Sequence, residues 1–124
     1  MFLTKRISIE AAHQLQSPAW KHSKCSEVHG HTWHIEVTVR GEVNPQSNSV
    51  MDFSDLGIIM RSHVHARLDH KFLNDVLGVE DATSEFLCIW VWNQVFAALK
   101  PFDCSLHEVK VQETEGSWAV YTGD

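Results

Sequence analysis

Cysteine is scarce in this chain. Cys25, Cys88 and Cys104 are the only three among 124 residues; they cannot all pair, and nothing in their spacing forms the disulfide framework of a small secreted domain. A reducing compartment is expected. Long apolar runs are missing too, since none approaches the roughly 20 residues that span a bilayer. Residues 1–14, MFLTKRISIEAAHQ, carry Lys5 and Arg6 ahead of an alternating stretch rather than an apolar core with a small-residue cleavage site, so they do not read as a signal peptide. The expectation is a cytoplasmic protein without a membrane partner. Basic residues are also outnumbered: ten Lys and Arg against sixteen Asp and Glu leave a formal charge of −6. No basic stripe is present, which argues against direct nucleic-acid binding. Lys21, His22 and Lys24 form a small local group that is either solvated loop charge or a meeting point for an anionic ligand.

What is present is an ordinary globular composition, 44% apolar, at a length that suits one domain over residues 1–124. A domain this small buries only about two thirds of its unfolded surface, which favours association with copies of itself. No internal repeat, linker or low-complexity segment divides it.

Residues 3 to 13 alternate in the manner of a half-buried strand, with Leu3, Ile7, Ile9 and Ala11 on one parity. His13 falls on that apolar parity. Residues 14 to 28 carry Pro18 and no period, and read as a long loop. A second strand follows, with Trp33, Ile35, Val37 and Val39 on one face and His29 and His31 sharing their parity. Residues 44 to 49 read as a polar turn. Leu56, Ile59, Met60, Val64 and Leu68 then fall at helical spacing behind a start near Asp52 or Ser54. An irregular stretch over residues 68–75 leads through Gly78 to a second helix, which opens at Thr83 or Ser84 and stops at Lys100-Pro101. That helix has a broad apolar surface. Two strands, residues 107–114 and 118–122, close the chain around a turn at Glu115-Gly116-Ser117. The order ββααββ implies an α+β fold: a four-stranded antiparallel sheet with two helices on one face.

His29 and His31 lie two apart on a strand and therefore project from the same face, and an antiparallel partner strand brings His13 alongside. Three buried imidazoles without a shared partner are costly. Three protein ligands leave a tetrahedral position open, the pattern of a catalytic zinc, although copper, nickel or iron also accept imidazole. Cys25, four residues before His29, is an inert thiol, a metal ligand, or a base whose thiolate is favoured by a nearby cation. Cys88 and Cys104 read as core. Asp69-His70 is either a polar turn or a carboxylate orienting an imidazole for proton transfer. Glu113 shares a parity with Val109 and Val111, so its carboxylate points inward and needs a partner: a salt bridge, or a guanidine-like group with adjacent N–H donors.

Taken together, Ala11-Ala12-His13, Cys25-x-x-x-His29-Gly30-His31, Val50-Met51-Asp52-Phe53, Leu68-Asp69-His70-x-x-Leu73-Asn74, Thr83-Ser84-Glu85 and Glu113-Thr114 resemble, in order and spacing, the 6-pyruvoyl-tetrahydropterin synthase and 6-carboxytetrahydropterin synthase family over essentially the whole chain. The resemblance implies a tunnelling fold in trimers stacked as a hexamer, with active sites between subunits. It implies zinc on His13, His29 and His31, proton transfer by Cys25 and by His70 paired with Asp69, and a pterin ring anchored by Glu113 with Thr83 and Ser84 contributing across the interface. The implied substrate is 7,8-dihydroneopterin triphosphate. Short bacterial-type chains of this pattern look most like 6-carboxytetrahydropterin synthase of the queuosine and deazapurine pathway, a lyase releasing acetaldehyde and triphosphate. The alternatives are 6-pyruvoyl-tetrahydropterin synthase, which eliminates triphosphate, and a metal- or pterin-binding module without catalysis. Glu27 resembles a glutamate that some relatives use for a folate-related, aldolase-like cleavage, and Ala82 stands where the family often has proline.

Overall fold

The computed structural model describes residues 1–124. Strands β1 (Phe2–His13), β2 (His29–Arg40), β3 (Ser105–Thr114) and β4 (Ser117–Tyr121) form one antiparallel sheet in the order β1-β2-β3-β4. The expected α+β architecture is present. β1 and β2 pair without interruption from Phe2 opposite Arg40 to His13 opposite His29. Because side chains alternate with a period of two, this register puts every odd-numbered residue of both strands on one face.

That face is the core. Ile9, Ala11, Trp33, Ile35, Val37 and Val39 are buried on β1 and β2, joined by Val109 and Val111 of β3. The helices cover it. α1 (Phe53–Met60) starts at Asp52, whose carboxylate accepts from the Ser54 N–H at 2.7 Å, satisfying one of the donors a helix start leaves free. It continues through a π-helical turn, Arg61–His65, into the single turn α2 (Ala66–Leu68). Leu56, Met60, Val64 and Leu68, each four apart, form its fully buried stripe. α4 (Ser84–Ala98) is capped by the Thr83 hydroxyl, which accepts from the Phe86 N–H at 3.1 Å. It buries Leu87, Cys88, Val91 and Val95 on the sheet, while Phe86, Ile89 and Phe96 remain exposed. The opposite sheet face is polar, with cross-strand pairs such as Thr4–Thr38 at 2.7 Å and Ser8–His34 at 2.9 Å.

Three features depart from the sequence reading. The stretch expected to be irregular contains a short helix, α3 (Leu73–Leu77), closed by Gly78 at φ 68°, a left-handed conformation that glycine adopts without steric cost. The periodless loop holds two 3-10 turns, Pro18–Trp20 and Lys24–Ser26. The last two strands start earlier, β3 at Ser105 and β4 at Ser117. β3 also carries two bulges: its register shifts opposite Thr38/Val39, where His107 is the extra residue, and again between Gln112 and Thr114. The first shift lets Leu106, three residues from Val109, turn into the core. The second isolates Glu113, and a bulge of this kind re-aims the side chain it carries.

Candidate metal centre and proton-transfer pair

The β1–β2 register gathers His13, His29 and His31 at one end of the covered face, with Ala11 opposite His31. Trp33 forms the floor, edge-on to His13 and His31 at ring-centroid distances of 4.8 and 5.3 Å. Its indole N–H donates to the Ala11 carbonyl at 3.1 Å.

The tautomers follow from the neighbours. His13 Nδ1 lies 2.7 Å from the Ala82 carbonyl oxygen and His29 Nδ1 lies 2.7 Å from that of Glu27. A carbonyl only accepts, so both Nδ1 atoms carry the proton. In the neutral rings each Nε2 then presents a lone pair. These two Nε2 atoms are 2.8 Å apart, a repulsive contact unless a cation lies between them. A proton on one ring relieves that pair but does nothing for His31, whose buried Nε2 has no hydrogen-bond partner. His31 Nε2 is 3.2 Å from Glu113 Oε1, inside ion-pair range but outside hydrogen-bond geometry. Burial also lowers the affinity of His31 for a proton, against the opposing pull of Glu113. A single metal ion satisfies all three nitrogens at once, and carbonyl partners on the far ring nitrogens are the usual support of histidine ligands. The donor set fits a divalent metal.

The Glu113 bulge delivers a carboxylate to the same place. Oε1 is 3.1 Å from His13 Nε2, and Oε2 accepts from the Ser84 hydroxyl at 3.1 Å. The His13 ring, when it carries a second proton on Nε2, is the main reason the Glu113 carboxyl sits below its ordinary range, with burial opposing and Ser84 and His31 adding to it. One ligand atom from each of His13, His29, His31 and Glu113 falls within 4.8 Å of all the others. The Glu113 carboxylate thus lies beside the Nε2 atoms of His13 and His31.

Asp69 and His70 follow α2. The His70 N–H donates to the Glu10 carbonyl at 2.6 Å, the Glu10 N–H donates to Asp69 Oδ1 at 2.8 Å, and the Ala12 N–H donates to the Lys71 carbonyl at 3.1 Å. These bonds fasten the turn to the outer edge of β1. His70 adopts φ 59°, a left-handed conformation that costs a non-glycine residue about 1–3 kcal/mol and concentrates at functional sites. Its Nδ1–H donates to Asp69 Oδ2 at 2.8 Å, leaving Nε2 as an acceptor. The Glu10 N–H, then the His70 ring, hold the Asp69 carboxyl below its ordinary range. His70 and His31 line one cleft of about 600 Å³, together with Gly30, Thr32, Lys71 and Phe72. His31 of the cluster and His70 of the pair therefore border one shared cleft.

Cys25 lies half-buried in the 3-10 turn Lys24–Ser26 as a free thiol, and it is not among the residues lining that cleft. Its carbonyl accepts from the Leu15 N–H at 2.9 Å, and the Ser26 carbonyl accepts from the Gln14 side chain at 2.8 Å. The turn is thus tied to the residues just after His13. Cys88 is buried, and burial pushes its thiol up to about 11, as suits a core residue. The Thr83 hydroxyl is engaged in capping α4, while Lys21, His22 and Lys24 are exposed.

Three supporting groups were not singled out by the sequence reading. Two are the carbonyls of Ala82 and Glu27. The third is Asn74, a buried amide that accepts from the Gln14 N–H at 2.9 Å and donates to the carbonyls of Gln14 at 2.7 Å and Glu80 at 2.8 Å. It fixes the end of β1, and so His13, to α3. Its signal is the Leu73-Asn74 element, separated from Asp69-His70 by Lys71 and Phe72.

Comparison with known proteins places the whole chain in one family. The family model described as 6-pyruvoyl tetrahydropterin synthase matches residues 2–124. A 6-pyruvoyl tetrahydrobiopterin synthase of Dictyostelium discoideum is 35% identical, covering 100% of this chain and 97% of that protein. A 6-carboxy-5,6,7,8-tetrahydropterin synthase of Synechocystis is 38% identical, over 94% of this chain and 89% of that protein. The structure of a 6-pyruvoyl tetrahydropterin synthase from Caenorhabditis elegans superposes with a TM-score of 0.88 at 27% identity, covering 100% of this chain and 96% of that one. With nearly every residue matched and the histidine cluster assembled, the chain belongs to the 6-pyruvoyl tetrahydropterin synthase family of pterin-processing lyases.

Proposed function

We propose that this chain is a zinc-dependent 6-carboxy-5,6,7,8-tetrahydropterin synthase. It converts 7,8-dihydroneopterin triphosphate to 6-carboxy-5,6,7,8-tetrahydropterin, releases acetaldehyde and triphosphate, and serves queuosine biosynthesis. The observation that carries the metal dependence is the approach of His13 Nε2 and His29 Nε2 to 2.8 Å with both Nδ1 atoms held by carbonyls. The choice of product is supported by the 38% and 37% identity to proteins named 6-carboxytetrahydropterin synthase. The runner-up is 6-pyruvoyl-tetrahydropterin synthase, supported by 35% identity to a protein of that name.

His13, His29 and His31 would hold the metal in this reading, which when bound would supply electrophilic stabilisation of negative charge developing on the substrate. Asp69 keeps the His70 proton on Nδ1, so that Nε2, facing solvent-accessible space, takes up and returns protons. Cys25 is the second proton-transfer group. Glu113 receives the N–H donors of the pterin ring on Oε2, sharing that oxygen with the Ser84 hydroxyl. Thr83 positions this end of α4 through its cap. The free outer edge of β4, with exposed Trp118 and Val120, supports assembly into the trimers and hexamer of a tunnelling fold. All 124 residues serve as one pterin-binding domain.

The test is to incubate the zinc-loaded protein with 7,8-dihydroneopterin triphosphate and identify the pterin by mass. A carboxylated tetrahydropterin with acetaldehyde supports the proposal. A pyruvoyl product transfers the assignment to the runner-up, and no product counts against both.

A further inference from the structure

The passage from α1 to α2 is not a plain helix. Arg61–His65 is π-helical, a widened turn that recurs where a helix re-aims side chains at a functional site. His65 closes that turn four residues before Asp69, and its Nε2 lies 3.7 Å from Asp69 Oδ2. The same oxygen accepts from His70 Nδ1 at 2.8 Å, whereas Oδ1 is taken by the Glu10 N–H at 2.8 Å. One carboxylate oxygen thus serves two imidazoles. With Oδ1 pinned to β1, the carboxylate cannot rotate to give each ring an oxygen of its own. A positive charge on His65 therefore draws on the negative charge that Asp69 offers His70. The His65 side chain is 40% exposed and so free to exchange protons with solvent. After the Glu10 N–H and the His70 hydrogen bond, the charges of His70 and His65 are what further hold the Asp69 carboxyl down.

Resting on the proton-transfer role assigned to His70 above, we propose that His65 is a positioning residue of the Asp69–His70 pair: by competing for Asp69 Oδ2 it sets how firmly the carboxylate holds the His70 proton. Protonation of His65 loosens the proton on His70, and the reverse holds equally. The other charged or titratable groups nearby are Lys71 beside His70, His63 on the π-helical turn, and Glu10 and His31 across the cleft from β1 and β2. The Glu10 carboxylate accepts from the Thr32 hydroxyl. Arg67 is engaged elsewhere, donating to Gln94 at 2.8 Å and lying 4.9 Å above the Trp90 ring. All of these stay constant when only His65 is changed.

The experiment follows the His70 ring by nitrogen-15 NMR as a function of pH in the full chain, beside the pH profile of kcat/KM. In His65→Gln, which carries no titrating charge, the His70 midpoint moves to higher pH by about half a pH unit, the size of a partly exposed charge pair. In His65→Lys, which keeps a positive charge throughout, the midpoint moves to lower pH. The acidic limb of kcat/KM follows in the same two directions. No shift in either variant, or a shift of the same sign in both, overturns the proposal, since structural damage moves both alike. The NMR arm needs no substrate, so a wild type that fails to turn over the pterin defeats the reaction assignment while the His65 result still decides this one.

Discussion

His13 and His29 face each other through their Nε2 atoms at 2.8 Å, and each is locked into presenting a lone pair there by a carbonyl at its Nδ1. The carbonyls come from Ala82 and Glu27, so three separate segments of chain converge to fix two ring orientations. Folding this arrangement without a cation leaves the lone pairs opposed and the buried His31 Nε2 unpartnered. An ion held by all three nitrogens would remove both penalties, so metal loading is expected to raise the stability of the fold.

Cys25 belongs to a turn fastened beside His13 but contributes no atom to the histidine and glutamate cluster. Cys25→Ala is therefore expected to leave metal content unchanged while lowering kcat by about 10²–10⁴, the usual worth of a positioned acid or base. Metal analysis together with steady-state kinetics checks this. Undiminished turnover removes Cys25 from the chemistry.

Acid sensitivity follows from three shifted groups. Burial makes folded His31 hold a proton less readily than its ordinary value of 6.5, so the unfolded chain binds more protons as pH falls through that range. The metal-free protein then loses stability on acidification below about 6.5. Glu113 and Asp69, both lowered in the folded state from ordinary values of 4.5 and 3.8, contribute stability that is present above those values and lost as pH falls through the folded ones. Urea midpoints of the metal-free protein are expected to hold from pH 8 to about 6.5 and to fall from there to about pH 3. A midpoint that rises on acidification contradicts the assigned shifts.

Asn74 makes three hydrogen bonds while buried. Asn74→Ala strands the Gln14 N–H and two carbonyls, each at a cost of about 1–3 kcal/mol, so an overall loss of about 3 kcal/mol is expected in denaturant unfolding. Because Gln14 follows His13, metal affinity should weaken as well. A variant as stable as the parent shows that water replaces the amide.

The strands and both long helices were legible because alternation over β1 and β2, the four-residue spacing of Leu56, Met60, Val64 and Leu68, and the caps at Asp52 and Thr83 are local signals. The pairing of His13 with His29 was legible for the same reason, as shared parity on neighbouring strands. What escaped depends on register or on short segments. The bulges at His107 and Glu113 are decided by cross-strand pairing, and the five residues of α3 are too few to establish a period. The proximity of Glu113 to His13 exists only once β3 pairs with β2. Parity alone showed that Glu113 points in, not what it meets.

The central claim is that these histidines form a metal centre, and metal stoichiometry tests it most directly. Protein loaded with zinc, desalted and analysed by plasma mass spectrometry is expected to retain one ion per chain, and His29→Ala to lose affinity by more than the 10- to 100-fold typical of removing a mere supporting contact. Wild-type protein that retains no metal, or a His29→Ala variant that retains it undiminished, contradicts the account.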